Sequence, residues 1–412
     1  MEAVRENVNP KRPGRRIVVV GGGPAGVAAA EAARAADPDA AVHLVAAEPH
    51  WPYYRPRLSH AIGKALKIET IYIHPPSWYA ERRIDVHLGR AATGIDTANR
   101  RVLLDDGAEL PFTALVLAQG GRAFLPPVPG HDLPGVFTLR QWADLQAIAR
   151  WAGAARRGAV VGGGPLGLEI AWALRRWDRE VTVLEMGERL LGRQLDARGA
   201  EILKEIAAAK GIRALTGVTV EGLEGAERVT GVRVRDAGTL EAEFVIFAAG
   251  VVPETGLARE AGLEVGRGIV VDEAMRTSHP DVCAAGDAAE FQGRVFGLWS
   301  VAVEQGRVAG TNAAGGRARY RPVAPSSVVQ VLETGIFSVG QTDGPRVLVR
   351  DRGPRGYTRL VFEDGRLVGA VLIGDVQAGP RLKAAVDAQT TVALRPDTTV
   401  EEVLHLLTRR GR

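Results

Sequence analysis

Cysteine is almost missing from this chain: Cys283 is the single one among 412 residues. An intramolecular disulfide, a thiolate metal cluster and a dithiol redox pair are therefore excluded, and no metal site is expected. A chain that needs no disulfide reads as cytoplasmic. Long apolar runs are missing as well. None approaches the roughly 18 residues that a membrane-spanning helix requires. The first 16 residues, MEAVRENVNPKRPGRR, lack the apolar core of a signal peptide and read as a mobile tail. Clustered charge is also scarce. Lys and Arg number 52 against 48 Asp and Glu, a net charge of +4, and apart from KRPGRR the bases are scattered. Scattered bases make no nucleic-acid stripe, but a mildly basic surface rich in arginine suits an acidic protein partner.

What the chain does have is glycine in two patterned places. In RIVVVGGGPAGVAAAEAARAA (16–36), a β-branched strand runs into Gly21-x-Gly23-x-x-Gly26 and then an alanine-rich helix. Gly21 permits the tight turn, Gly23 lets backbone approach a pyrophosphate, and Gly26 lets helix and strand pack closely. The free N–H groups of the helix start face that pyrophosphate. The strand AVHLV (41–45) follows, which completes a dinucleotide-binding unit. The whole pattern recurs at 158–191 around Gly162, Gly164 and Gly167. Each copy is trailed by a short β-meander and a buried strand ending in glycine, at 100–120 and 230–250. Such an internal repeat, in a chain long enough for two or three domains, predicts two nested Rossmann-like α/β domains and two dinucleotides.

The nucleotides differ. Glu185 lies 23 residues beyond Gly162, after the second strand. A carboxylate there accepts the ribose hydroxyls and repels a 2′-phosphate, which favours NADH over NADPH. Arg189 and Arg193 lie close enough to meet a phosphate, so NADPH stays open, and Glu185 could also be a solvated strand-end charge. In the first unit the matching positions are Ala46 and Ala47, with Glu48 one step later. Further on, TSHPDVCAAGDAAEF puts Asp287 at the carboxyl edge of a strand, and WSVAVEQGRVAGTNAAGG reads as a helix starting near Ser300 to Val303.

These residues together, over 16–320, resemble the two-dinucleotide flavoprotein reductases of the pyridine nucleotide-disulfide oxidoreductase superfamily. The resemblance implies FAD on the first glycine loop and on Asp287, and NAD(P)H on the inserted second unit. Pro24, Ala25, Ala47, Glu48, Arg55, Ser59, Ala92, Gly120, Arg140 and Trp299 join the cofactor-binding set on the same basis, with Gly250 in the second unit. Gln119 stands where a threonine is common in that superfamily.

The branch is decided by YYRPRLSHAIGKAL (53–66). Thiol-dependent relatives place a cysteine directly after Leu-Ser. Here Leu58-Ser59 is followed by His60, whose imidazole forms neither a sulfenate nor a mixed disulfide. Cys283 sits in an apolar strand and reads as a small core residue. The stretch is similar to that of ferredoxin and rubredoxin reductases. YRPVAPSSVVQVLETGIFSVG and LVGAVLIGD resemble the C-terminal domain of NADH–rubredoxin reductases and the flavoprotein half of NAD(P)H nitrite reductases. His60 at the flavin edge, tuning its potential, is what the resemblance implies; a local helix-start histidine is the alternative. Glu169 and Glu304 are candidates for steering the nicotinamide, or else helix-surface charges.

The expected domains are a tail 1–16, an FAD-binding domain of 17–125 with 251–320, an NAD-binding domain 126–250, and a C-terminal α/β interface domain 321–412. In the last of these, Asp364-Gly365 signals a hairpin turn, and Thr399 with Glu402 a capping box opening a helix that ends at Arg409, Arg410 and Gly411. The expected activity is NADH oxidation through FAD with electrons passed to a rubredoxin- or ferredoxin-type carrier. A flavoprotein subunit of a larger redox complex, a peroxide-forming NADH oxidase and a redox-sensing flavin-binding protein are the alternatives, and a homodimer is one expected assembly.

Overall fold

The computed structural model describes residues 14–322 and 326–409. Most of the tail expected at 1–16, and the helix end expected at Arg410 and Gly411, lie outside the described residues. The chain groups into two compact units.

The first unit takes in residues 67–122 and 251–321 along with the segment up to Tyr54. Its centre is a five-stranded parallel sheet in the order Val282–Ala284, Ala114–Leu117, Arg16–Val20, Ala41–Ala46, Ile84–Leu88. Ile17, Val18 and Val19 are fully buried, as a run of β-branched residues covered on both faces should be. Helix Pro24–Ala36 follows the glycine loop and packs on helix Trp299–Ala313. The contact is unusually close because Gly306 and Gly310 lie on the carbonyl oxygens of Ala25 and Ala29, where any Cβ would collide. A three-stranded antiparallel meander, Ala92–Asp96, Arg101–Leu104 and Glu109–Pro111, precedes the strand Ala114–Leu117.

The second unit repeats the plan. Strands Ile212–Thr216, Glu180–Glu185, Arg157–Val161, Phe244–Phe247 and Val136–Thr138 form a parallel sheet in that order. The meander Val220–Glu224, Gly231–Val234, Gly238–Glu241 precedes Phe244–Phe247 as its counterpart does in the first unit. The described residues from Pro322 onward group with this unit. They form a five-stranded antiparallel sheet from Ser326–Val331 to Arg366–Ile373, covered by helices Gly379–Asp387 and Val400–Arg409. Asp364 and Gly365 both take positive φ, 48° and 72°, and turn strand Tyr357–Glu363 into Arg366–Ile373, the geometry a two-residue hairpin requires. Thr399 and Glu402 bond each other's backbone N–H reciprocally at 3.2 and 3.0 Å.

Residues 55–66, which the sequence places inside the continuous stretch 17–125, group with the second unit. Arg55 donates to the Arg140 carbonyl at 2.9 Å, and two further contacts hold them there. Ser59 bonds Glu169, and Gly63, at φ 73°, lies flat against the Trp177 ring with no room for a Cβ.

Candidate functional site

Both glycine loops fold alike because the same backbone problem is solved twice. Gly21 and Gly162 each take φ 123° and lie on the carbonyls of Ala118 and Ala248. Gly26 and Gly167 lie on the carbonyl oxygens of Gly21 and Gly162, where a methyl would part helix from strand. Gly23 and Gly164 differ. They are the N-caps of the two helices, in extended conformations open to any residue, with φ −86° and −77°. A Cβ on either would meet no protein atom within 4 Å. Nothing inside the protein requires glycine at these two positions. Space for an outside group, approaching to backbone distance, does.

That group has to be an acceptor with negative charge. Neither helix start has a side-chain cap and neither carries an acid in its first turn, so the leading N–H groups face outward with the positive end of the helix dipole. Pro24 and Pro165 open the helices where no intrahelical donor is needed. The loops therefore fit the pyrophosphates of two dinucleotides.

The strand ends that follow are not alike. By register, Glu185 and Ala46 are the same position, since Val161 pairs with Leu184 as Val20 pairs with Val45. Glu185 accepts from the N–H of Gly163 at 2.5 Å and of Gly187 at 2.6 Å. Two backbone donors fix its carboxylate beside the glycine loop and leave lone pairs for further donors. In the first unit Ala46 is buried and Ala47 exposed. Glu48 is two residues beyond the register position and accepts from the Tyr53 hydroxyl at 2.6 Å.

The other candidates of the first unit lie on its sheet edge and on the helix 299–313. Asp287 is half-buried in the 3-10 turn Gly286–Ala288, after strand Val282–Ala284. Gly286 N–H donates to the buried Gln305 at 2.9 Å, so the turn is fixed from the helix behind it. That helix begins at Trp299, a residue earlier than its sequence suggests, and the Trp299 ring packs on Tyr54 at 4.4 Å. Glu304 is held by Arg307 through two bonds, 2.5 and 3.1 Å. Ala92 opens the meander, and Gly120, at φ 75°, accepts from Glu254 N–H at 2.9 Å. Gln119 donates to the carbonyl of Glu254 at 2.9 Å.

In the second unit the turn Arg55–Arg57 runs into the short helix Leu58–Ala61. Arg55 donates to the Arg140 carbonyl at 2.9 Å, and Asp144 accepts from the Arg140 N–H at 2.8 Å. Gly250 takes φ 108°. Ser59, His60 and Glu169 come together here. The Ser59 hydroxyl donates to Glu169 Oε2 at 2.6 Å, and His60 Nε2 lies 3.8 Å from the same oxygen, too far for a hydrogen bond. Burial pushes the Glu169 carboxyl up from its ordinary value, the Ser59 bond opposing. Burial lowers the His60 imidazole, and Lys64, Arg57 and Arg176 lower it further. Both shifts favour the uncharged forms. Cys283 is buried in its strand and its thiol is pushed up to about 12 by burial.

Sequence reasoning did not anticipate Gln305, Tyr53, Trp172 or Arg176 near these sites. Gln305 carried a readable signal, an amide inside an otherwise apolar helix face. Tyr53 meets Glu48 five residues before it, while Trp172 and Arg176 meet partners remote in sequence.

No helix among the described residues is long and apolar enough to cross a membrane. Residues 325–390 match the rubredoxin NAD+ reductase C-terminal domain. The chain is 32% identical over 375 residues to an NADH-rubredoxin oxidoreductase of Clostridium acetobutylicum, covering 90% of this chain and 94% of the relative. It is 31% identical over 385 residues to a nitrite reductase [NAD(P)H] of Bacillus subtilis, covering 92% of this chain and 48% of that protein. It is 29% identical over 393 residues to an assimilatory nitrate reductase electron transfer subunit of the same species, covering 94% of this chain and 51% of that protein, and so spans about half the length of both relatives. Its fold superposes on the covalent putidaredoxin reductase–putidaredoxin complex with a TM-score of 0.88 at 28% identity, covering 97% of this chain and 99% of that one. Since residues 15–306, which carry both glycine loops, match the pyridine nucleotide-disulphide oxidoreductase family throughout, the chain belongs to that family, whose cofactors are FAD and NAD(P)H.

Proposed function

We propose that this protein is an FAD-dependent NADH oxidoreductase that passes electrons to a small one-electron carrier of the rubredoxin or ferredoxin type. The observation that carries the reading is His60. It stands where thiol-dependent relatives hold a cysteine, and the chain's one thiol is buried and held protonated. No protein group stores the electron pair, so it must leave. The balanced turnover is NADH plus two oxidised carriers giving NAD+, one proton and two reduced carriers. Bound FAD supplies the conversion of a two-electron donor into one-electron deliveries.

The chain's own residues bind and position. Gly21, Gly23, Pro24, Ala25 and Gly26 take the FAD pyrophosphate, and Ala47, Glu48, Ala92, Gly120, Asp287 and Trp299 complete its contacts in the first unit; the sequence resemblance adds Arg55, Ser59, His60 and Arg140 to the FAD-binding set. Gly162, Gly164, Gly167 and Gly250 take the nicotinamide nucleotide. Glu185, fixed by two backbone donors, accepts the ribose hydroxyls and disfavours a 2′-phosphate, so NADH is the preferred donor. Glu169 and Glu304 steer the nicotinamide, and His60 tunes the flavin. Burial disfavours charge on both His60 and Glu169.

Anaerobic NADH oxidation by the flavoprotein, with and without a rubredoxin or ferredoxin, tests this reading. Fast flavin reduction with turnover only in the presence of the carrier is expected. Fast reduction without carrier turnover overturns it. That outcome favours the second reading, a flavoprotein module feeding a partner subunit, which the half-length match to the Bacillus subtilis proteins supports.

A further inference from the structure

Beside His60 the second unit has a partly open cavity of about 110 Å³ whose polar walls are His60, Lys64, Glu169, Trp172, Arg176 and Gln330. The balance of groups around it is one-sided. Lys64 and Arg176 make no ion pair among the described residues, nor does Arg57 close by. Lys210 lies over the Trp172 ring, 4.4 Å from its centroid, and pairs with Glu333. The one acid in the wall, Glu169, already accepts from Ser59. Donors and positive charge outnumber acceptors even with Glu169 ionised.

We propose that this cavity binds a small oxyanion, a phosphate or a short carboxylate, held by Arg176, Lys64 and His60. The volume suits it. At about 30 Å³ per water the space holds roughly three or four waters, the bulk of an oxyanion of about five heavy atoms. A guanidinium and an ammonium at one mouth are the usual recognition of such a group. An anion here also favours the protonated imidazole of His60, so by linkage it binds more tightly as pH falls. This assignment concerns binding alone and stands whether or not the carrier reductase reading does.

The test is tryptophan emission of the FAD-loaded protein, since Trp172 and Trp177 both line the cavity. Sodium phosphate and sodium acetate are titrated separately at constant ionic strength, set with sodium chloride. NAD+ is present to fill the Gly162–Gly167 loop. A saturable change is expected, tighter at about pH 6 than at about pH 8. Arg176→Ala and Lys64→Ala should each weaken it tenfold or more, while Lys204→Ala, an exposed lysine elsewhere on the unit, leaves it unchanged. A linear response, one reproduced by chloride, or one unaltered in both Arg176→Ala and Lys64→Ala overturns the proposal. So does a response to an acidic carrier protein with none to either anion, which would make the basic mouth a docking surface.

Discussion

The hydroxyl of Ser59 donates to Glu169 Oε2 over 2.6 Å, joining residues 110 positions apart. A carboxyl that burial already drives toward its neutral form is kept partly ionisable by this one donor. Ser59→Ala should therefore move the Glu169 titration further upward. Loss of a hydrogen bond to a charged acceptor is of order 2 kcal/mol, and the pH profile of NADH-driven flavin reduction should shift alkaline. Rescue by Ser59→Thr would separate the lost donor from a packing defect.

The two kinds of glycine in the loops make opposite predictions. Gly167→Ala drives a methyl into the Gly162 carbonyl and should destabilise the second unit by about 1–3 kcal/mol, seen in thermal unfolding of the nucleotide-free protein. Gly164→Ala meets no protein atom. It should leave that unfolding temperature almost unchanged and weaken NADH binding about tenfold or more, or about 1.4 kcal/mol. Equal effects of the two substitutions on unfolding would contradict the reading of the loop.

Glu185→Ala should weaken NADH by about 1–3 kcal/mol and narrow its advantage over NADPH. The ratio of kcat/KM for the two donors is the measurement. Arg189 and Arg193 are both exposed nearby, so Arg189→Ala in the same background should lower NADPH use selectively.

A pair of imidazoles on the first sheet predicts acid sensitivity. His43 Nδ1 lies 3.2 Å from His87 Nε2 across neighbouring strands, and 3.7 Å from Asp85. Burial lowers the His43 value, and His87 adds to this against Asp85. The unfolded chain therefore binds the proton more readily. Stability is complete above about 6.5 and is lost as pH falls through the lower folded value. Thermal unfolding followed from about pH 7 down to about pH 5 should show a steeper decline than in His43→Asn.

Which parts of this molecule could be read in advance follows from the range of the interactions. The strand–loop–helix units were legible because each is a local pattern of β-branched residues, three glycines and a helix. Glu185 was placed by counting along one strand, and the Asp364–Gly365 hairpin and the Thr399–Glu402 box rest on contacts within a few residues. The association of residues 55–66 with the second unit was not legible. It depends on Arg55 meeting Arg140, Ser59 meeting Glu169 and Gly63 meeting Trp177, and no local signal marks those pairs. The Trp172 and Arg176 wall was hidden for the same reason, since both read as ordinary positions on an amphipathic helix.

Cys283 has a practical consequence. At a thiol value of about 12, the thiolate fraction near neutrality is on the order of one in 10⁵, against a few per cent for a free cysteine. The native chain is then silent toward maleimides and methanethiosulfonates. Any cysteine introduced at the surface becomes the sole labelled position, with no other thiol to replace beforehand. A fluorophore or spin label could then be placed on the sheet of residues 326–373 at a single introduced cysteine.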